Sequence, residues 1–142
     1  MQRRSVMYCA AVPAFKLVLA GQEHALASFR QLQALTRSVL DGQARELWLS
    51  HETFGSLRLL VNHGRACLMH LPDGGGDHPG FTSRGAAPRD AREVAVFVLS
   101  NGQMDELPIS WTVPREDGLQ ALEHFFLTGS RAPWLVWHDD ST

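Results

Sequence analysis

Three groupings in this 142-residue chain bring together residue types that do chemistry. The first is His70, Asp73, Asp77 and His78, four nitrogen and oxygen donors within nine positions. A bound metal needs such donors clustered at fixed spacing, but no HExxH or CxxC pattern accompanies them and glycines separate them. They read as solvated loop residues, so no metal and no cofactor is expected. The second is the glycine-rich "GGGDHPGFTSRG". Exposed backbone N–H groups suit anions. The Lys-Ser/Thr ending of a phosphate loop and the following helix are both missing, so phosphate is not the expected ligand. The third is a set of carboxylate pairs, Asp105-Glu106, Glu116-Asp117 and Asp139-Asp140. Acid–base work needs one partner buried with a raised pKa, which spacing alone does not provide.

Nucleophilic catalysis fares no better. Ser83 and Cys67 lie outside any GxSxG elbow or cysteine-histidine signature. His124 sits among helix-periodic apolar positions, the setting of a half-buried structural histidine. No catalytic residue is expected and the chain reads as a binding protein. The rival from another class is a small hydrolase or transferase built on Asp77-His78, and a third reading is a generic interaction domain.

The elements that would position these residues follow from periodicity. "AFKLVLAG" at 14–21 reads as a first strand. Over 24–40, Leu26, Phe29, Leu32, Leu35 and Val39 recur at helical spacing, with Gly42 just beyond as a stop. "RELWLS", "SLRLLVN" and "RACLMHL" are strand-length runs, the last two joined by a hairpin at 62–64. In the middle run Leu57, Leu59 and Val61 share a face, and Leu60 breaks the alternation. Residues 72–92 form the longest irregular segment, of the length and composition that recognition loops have. "EVAVFVLS" and "LPISWTV" read as strands around "NGQMDE". Beyond Pro114, Leu119, Leu122, Phe125 and Phe126 predict a second helix capped by Gly129, and "PWLVWHDD" a last strand, at or near a sheet edge. Phe125, Phe126, Trp111 and one of Trp134 and Trp137 are expected in the core.

The order predicts an α+β fold: a single mostly antiparallel sheet of about six strands with two helices packed on one face. Its length suits one domain over residues 1–142, with 1–13 disordered or an extended start, and 44% apolar content suffices for a core. Whether the chain starts at Met1 or Met7 stays open. The opening "MQRRSVMYCAAVPAFKLVLAG" sets arginines before an apolar run as a signal peptide does. Pro13 and Lys16 interrupt it and no small-x-small cleavage site follows, so export is not expected. Cys9 and Cys67 make no disulfide framework, and no run reaches the roughly 18 apolar residues of a membrane span. A cytoplasmic protein away from membranes is expected.

Charge is lopsided. Residues 1–71 carry eight Arg or Lys and four Asp or Glu, whereas residues 72–142 carry five and eleven. An acidic half attracts a basic partner and repels nucleic acid, so direct nucleic-acid binding is not expected.

Three pieces, "DHPGFTSRG", "VFVLSNGQMDELPISWTVP" and "GLQALEHFFLTGSRAPWLVWHDD", resemble immunity protein family one of bacterial polymorphic toxin systems. Members commonly end in a Phe-rich helix end, Gly, a basic residue, Pro and a short strand bearing Trp. Here these are Phe125, Phe126, Gly129, Arg131, Pro133 and Trp137, within a match over about residues 45–140. The family often has an acid directly after that Trp, where this chain has His138 followed by Asp139 and Asp140. The resemblance implies a cytoplasmic antitoxin in a one-to-one complex with a cognate toxin domain, most often of the deaminase superfamily. The expected partner surface is Asp73, Asp77, His78, Phe81 and Arg84 from the loop with Trp137, Asp139 and Asp140 from the terminal strand.

Overall fold

A computed structural model describes residues 15–37, 45–72 and 78–142. The proposed extended start at 1–13, Cys9, the stop at Gly42, Asp73 and Asp77 lie outside the described residues. The strands are β1 (Lys16–Leu19), β2 (Gln22–Ala25), β3 (Arg45–His51), β4 (Gly55–Val61), β5 (Arg65–Leu71), β6 (Phe81–Arg84), β7 (Val94–Val98), β8 (Met104–Pro108), β9 (Val113–Pro114) and β10 (Val136–Asp139). The helices are α1 (Phe29–Thr36) and α2 (Arg115–Thr128), and a 3-10 turn spans Ile109–Trp111. No helix among the described residues is long and apolar enough to cross a membrane.

The class is α+β as expected, but the main sheet has eight strands rather than about six. Its antiparallel order is β10-β6-β5-β4-β3-β1-β2, with β9 added beside β5, and β7 and β8 form a separate two-stranded sheet. The centre follows the alternation of its residues. Leu47 and Leu49 face Leu59 and Leu57, which face Leu68 and His70 across the next ladder. The leucines form one core with Leu32 of α1 and Leu119, Leu122 and Phe125 of α2, and His70 packs edge-on against Phe125, so both helices cover the same face. Between β4 and β5, Asn62 Oδ1 accepts the N–H groups of Gly64 and Arg65, the Asx-type turn that makes this hairpin tight.

Leu60 breaks the alternation because the other face is also covered. It is fully buried with Cys67 against Ala95, Phe97 and Leu107 of the β7–β8 hairpin. Glu46 fastens that hairpin. It accepts from the Ser100 N–H and from Trp48 Nε1, and Arg58 lies 3.8 Å away. Burial pushes its carboxyl up, but these hydrogen bonds and the Arg58 charge outweigh it and leave the net shift downward.

Two expected elements differ. The helix over 24–40 is shorter, 29–36 within the described residues, because Gln22–Ala25 is a strand paired with β1. Ala20 and Gly21 both take positive φ, 54° and 77°, which closes a two-residue hairpin. Ser28 then caps α1 by accepting from the Gln31 N–H. "LPISWTV" is likewise not one strand. The turn closes early, through the Leu99 and Gly102 N–H bonds, so β8 begins at Met104 and the chain bends at Ile109–Trp111. Gly129, with φ of 76°, ends α2 as expected, its N–H donating to the Phe125 carbonyl.

Candidate functional site

Residues 81–84 are a strand, and that decides the site. β6 pairs with β5 on one side and β10 on the other, placing Phe81 opposite Asp139, Thr82 opposite His138, Ser83 opposite Trp137 and Arg84 opposite Val136. The irregular segment and the chain's end, more than fifty residues apart in sequence, thus become neighbours at one sheet edge. Because side chains alternate across a strand, Phe81 and Asp139 share the helix side while Arg84 and His138 share the other.

On the helix side, His78 stacks on Phe81 with ring centres 4.6 Å apart, and the Arg131 guanidinium lies 3.7 Å from the centre of the same ring. Arg131 continues to His70, its Nη1 2.9 Å from Nδ1. His70 Nε2 is 3.0 Å from the Phe54 carbonyl oxygen. Arginine can only donate, so His70 Nδ1 accepts and Nε2 carries the proton. The Gly80 N–H donates to His78 Nδ1, and His78 Nε2 lies 2.8 Å from Asp139 Oδ1. The Asp139 carboxyl is held below the usual range first by the Ser141 hydroxyl and N–H, with His78 adding to it. Asp140 accepts from the Thr82 hydroxyl at 2.6 Å and its N–H donates to the Gly80 carbonyl, which pins the acidic end against β6.

Burial pushes His70 below the usual histidine value, and the charge of Arg131 adds to this against the opposing bond to Phe54. A native histidine harder to protonate than the unfolded one makes stability fall as pH drops, since only the unfolded chain takes up the proton. Stability is expected to be level above about pH 7. It should decline below about pH 6.5, by at most about 1.4 kcal/mol per pH unit from this group. Urea midpoints at pH 7.5 and 5.5 should therefore converge in His70→Gln, which retains a donor and an acceptor without a titrating group. An equal acid loss in both proteins would refute the assignment.

On the other side, Arg84 lies 4.8 Å over the Trp111 ring and donates to the Ser83 carbonyl. Both flank an open groove of about 540 Å³, lined also by Arg89, Ser110, Val136 and His138. Trp111, expected in the core, is half-buried here. Trp137 is half-buried against the core, its Nε1 donating to the Ala132 carbonyl, and Trp134 stays 50% exposed in the turn before β10. Phe125 is fully buried and Phe126 only partly.

Of the eight expected surface residues, His78, Phe81, Arg84, Trp137, Asp139 and Asp140 thus meet at one edge. The match with known families spans the same elements. The model of the family described as immunity protein Imm1 matches residues 21–139. This chain belongs to the Imm1 family. A search of curated proteins finds no match. The Imm1 match runs from the turn before β2 to the last residue of β10, so it takes in the whole edge and reaches further toward the N-terminus than the motifs at 45–140.

In this Imm1 domain the nucleophile candidates are shut away. The Ser83 hydroxyl is fully buried, accepting from the Leu68 N–H and donating to the Trp111 carbonyl. Burial pushes the Cys67 thiol up, away from the reactive thiolate. Among the described residues no group of three or more His, Cys, Asp or Glu is placed to hold a metal ion. Arg131, His70 and Arg89 are central to the two faces yet were not among the expected surface residues. Arg131 stood out only as a family position, and nothing local to Arg89 marks it.

Proposed function

We propose that this Imm1 domain neutralises a cognate toxin by binding it one to one through the β6–β10 edge, without turning over a substrate. The observation that carries this is the pairing of β6 with β10, which gathers acidic, aromatic and cationic side chains from two distant segments at one sheet edge. Aromatic and arginine anchors beside charged groups are the composition of binding hot spots.

The toxin is a nucleic-acid base deaminase acting in the cytoplasm. Such an enzyme needs a basic track for its substrate and a pocket for an extruded or single-stranded base. Asp139 and Asp140, with Asp73 and Asp77 a few residues before β6 in sequence, supply the opposite charge, and their field speeds capture. Binding there covers the active site or the nucleic-acid face.

Co-expression with a candidate toxin domain, sought in the neighbouring gene, tests this. The wild-type protein should restore growth and co-purify with the toxin. Asp139→Asn combined with Asp140→Asn, which keeps shape but removes charge, should weaken the complex about tenfold or more, equivalent to about 1.4 kcal/mol. Failure of the wild-type protein to rescue or bind would reject the reading, as would turnover of a substrate by the isolated chain.

A further inference from the structure

We propose that the groove on the Arg84 side of the β6–β10 edge receives an acidic side chain of the toxin, carried on an extended segment that adds to β10 on the side away from β6. This rests on the immunity reading and adds the chemistry of the partner. Three observations carry it.

The first is charge. The groove lies in the acidic half of the chain, yet two arginines line it, Arg84 and Arg89. Among the described residues neither has a carboxylate within ion-pair distance. Burial pulls the Arg84 guanidinium down and the Asp140 charge opposes this at longer range. A carboxylate entering between the two arginines supplies the partner they lack.

The second is preorganisation. Stacking on Trp111 and the bond to the Ser83 carbonyl hold Arg84 in place, so little side-chain freedom remains to be lost on binding. The third is the open edge. β10 pairs with β6 alone, and its other side faces no strand among the described residues. Val136, whose side chain points to the groove side, is 67% exposed. An added strand gains main-chain hydrogen bonds and drops alternate side chains toward the groove. One acidic residue would then reach the arginines and an apolar neighbour would cover Val136. A nucleic-acid strand fits less well, because a chain of phosphates would also meet the Asp140 charge that already acts on Arg84.

The test uses the full chain and a catalytically inactive form of the toxin domain that the wild-type protein neutralises in the co-expression test. Arg89→Glu changes an exposed side chain, so its urea midpoint should match that of the wild type. Its affinity by calorimetry should fall about 10- to 100-fold, and Arg84→Gln should fall in the same direction. Amide exchange at residues 136–139 should slow on complex formation. A wild-type complex whose affinity is unmoved by Arg89→Glu, or whose β10 amides stay unprotected, overturns this proposal and leaves the immunity reading standing. No complex at all overturns both. Binding of a single-stranded oligonucleotide that is lost in Arg89→Glu assigns the groove to phosphates instead and also overturns it.

Discussion

Phe125→Ala is expected to lower the urea midpoint of unfolding by about 2 M. Phe125 is fully buried, with its ring 5.7 Å from Phe15 and 5.3 Å from His70, edge-on to both. Removing a buried phenyl ring forfeits its transfer free energy and leaves a cavity, together about 3–5 kcal/mol. With a urea dependence of about 2 kcal/mol per molar for a domain of this size, that is the stated shift. It is a large part of the roughly 5–15 kcal/mol that holds a domain folded. The effect should extend to the site, because Phe125 backs His70, and His70 holds Arg131 over Phe81. Phe126→Ala is the control: its ring is only partly buried, and it should cost about half as much. A Phe125→Ala midpoint within about 0.5 M of the wild type would show that the centre of the helix-side core is misplaced.

Gly85→Ala should rival it, at about 3 kcal/mol or more, for the opposite reason. A β-carbon at Gly85 would run into the carbonyl oxygen of Thr112 and lie 2.9 Å from its carbonyl carbon. These are backbone atoms. Thr112 is fully buried, its carbonyl accepts from Arg65 Nη2 and its hydroxyl bonds both Arg65 and Ile109. The Gly85 N–H also donates to the Ser110 carbonyl at 2.8 Å, so neither segment can retreat without breaking bonds. Since Gly85 and Ser110 line the Arg84 groove, the variant should lose toxin binding as well as stability. Gly64→Ala makes the same chemical change where nothing lies within 4 Å, and it should shift stability by less than about 1 kcal/mol. Equal melting temperatures for the two variants would contradict the close approach at Gly85.

Much of the frame can be read along the chain. β3, β4 and β5 carry their alternation openly, and the Asn62–Gly64 turn between β4 and β5 has a local cause in the Asn62 side chain. The α2 helix announces both its apolar face and its stop at Gly129. β6 does not. Its four residues sit in a Gly- and Pro-rich stretch with no hydrophobic period, and they become a strand only because β5 and β10 offer hydrogen-bonding edges on both sides. Local propensity is a weak signal for so short a strand, and its pairing partner outweighs it. β2 was hidden differently, behind an apolar spacing that extended the helix pattern too far back.

The candidate site divides along the same line. The residue types at Asp139, Asp140, Phe81 and Arg84, the lopsided charge and the Imm1 pattern around Gly129 and Trp137 are properties of the sequence by itself, since each is carried by identity and local spacing. That Phe81 stands opposite Asp139, that Arg131 bridges Phe81 to His70, and that Arg84 and Arg89 share a groove with Trp111 were decided by the tertiary structure alone. The reason is physical. Alternation along one strand says which residues share a face, but only the register between strands distant in sequence says which faces meet, and that register is set by the packing of the whole core.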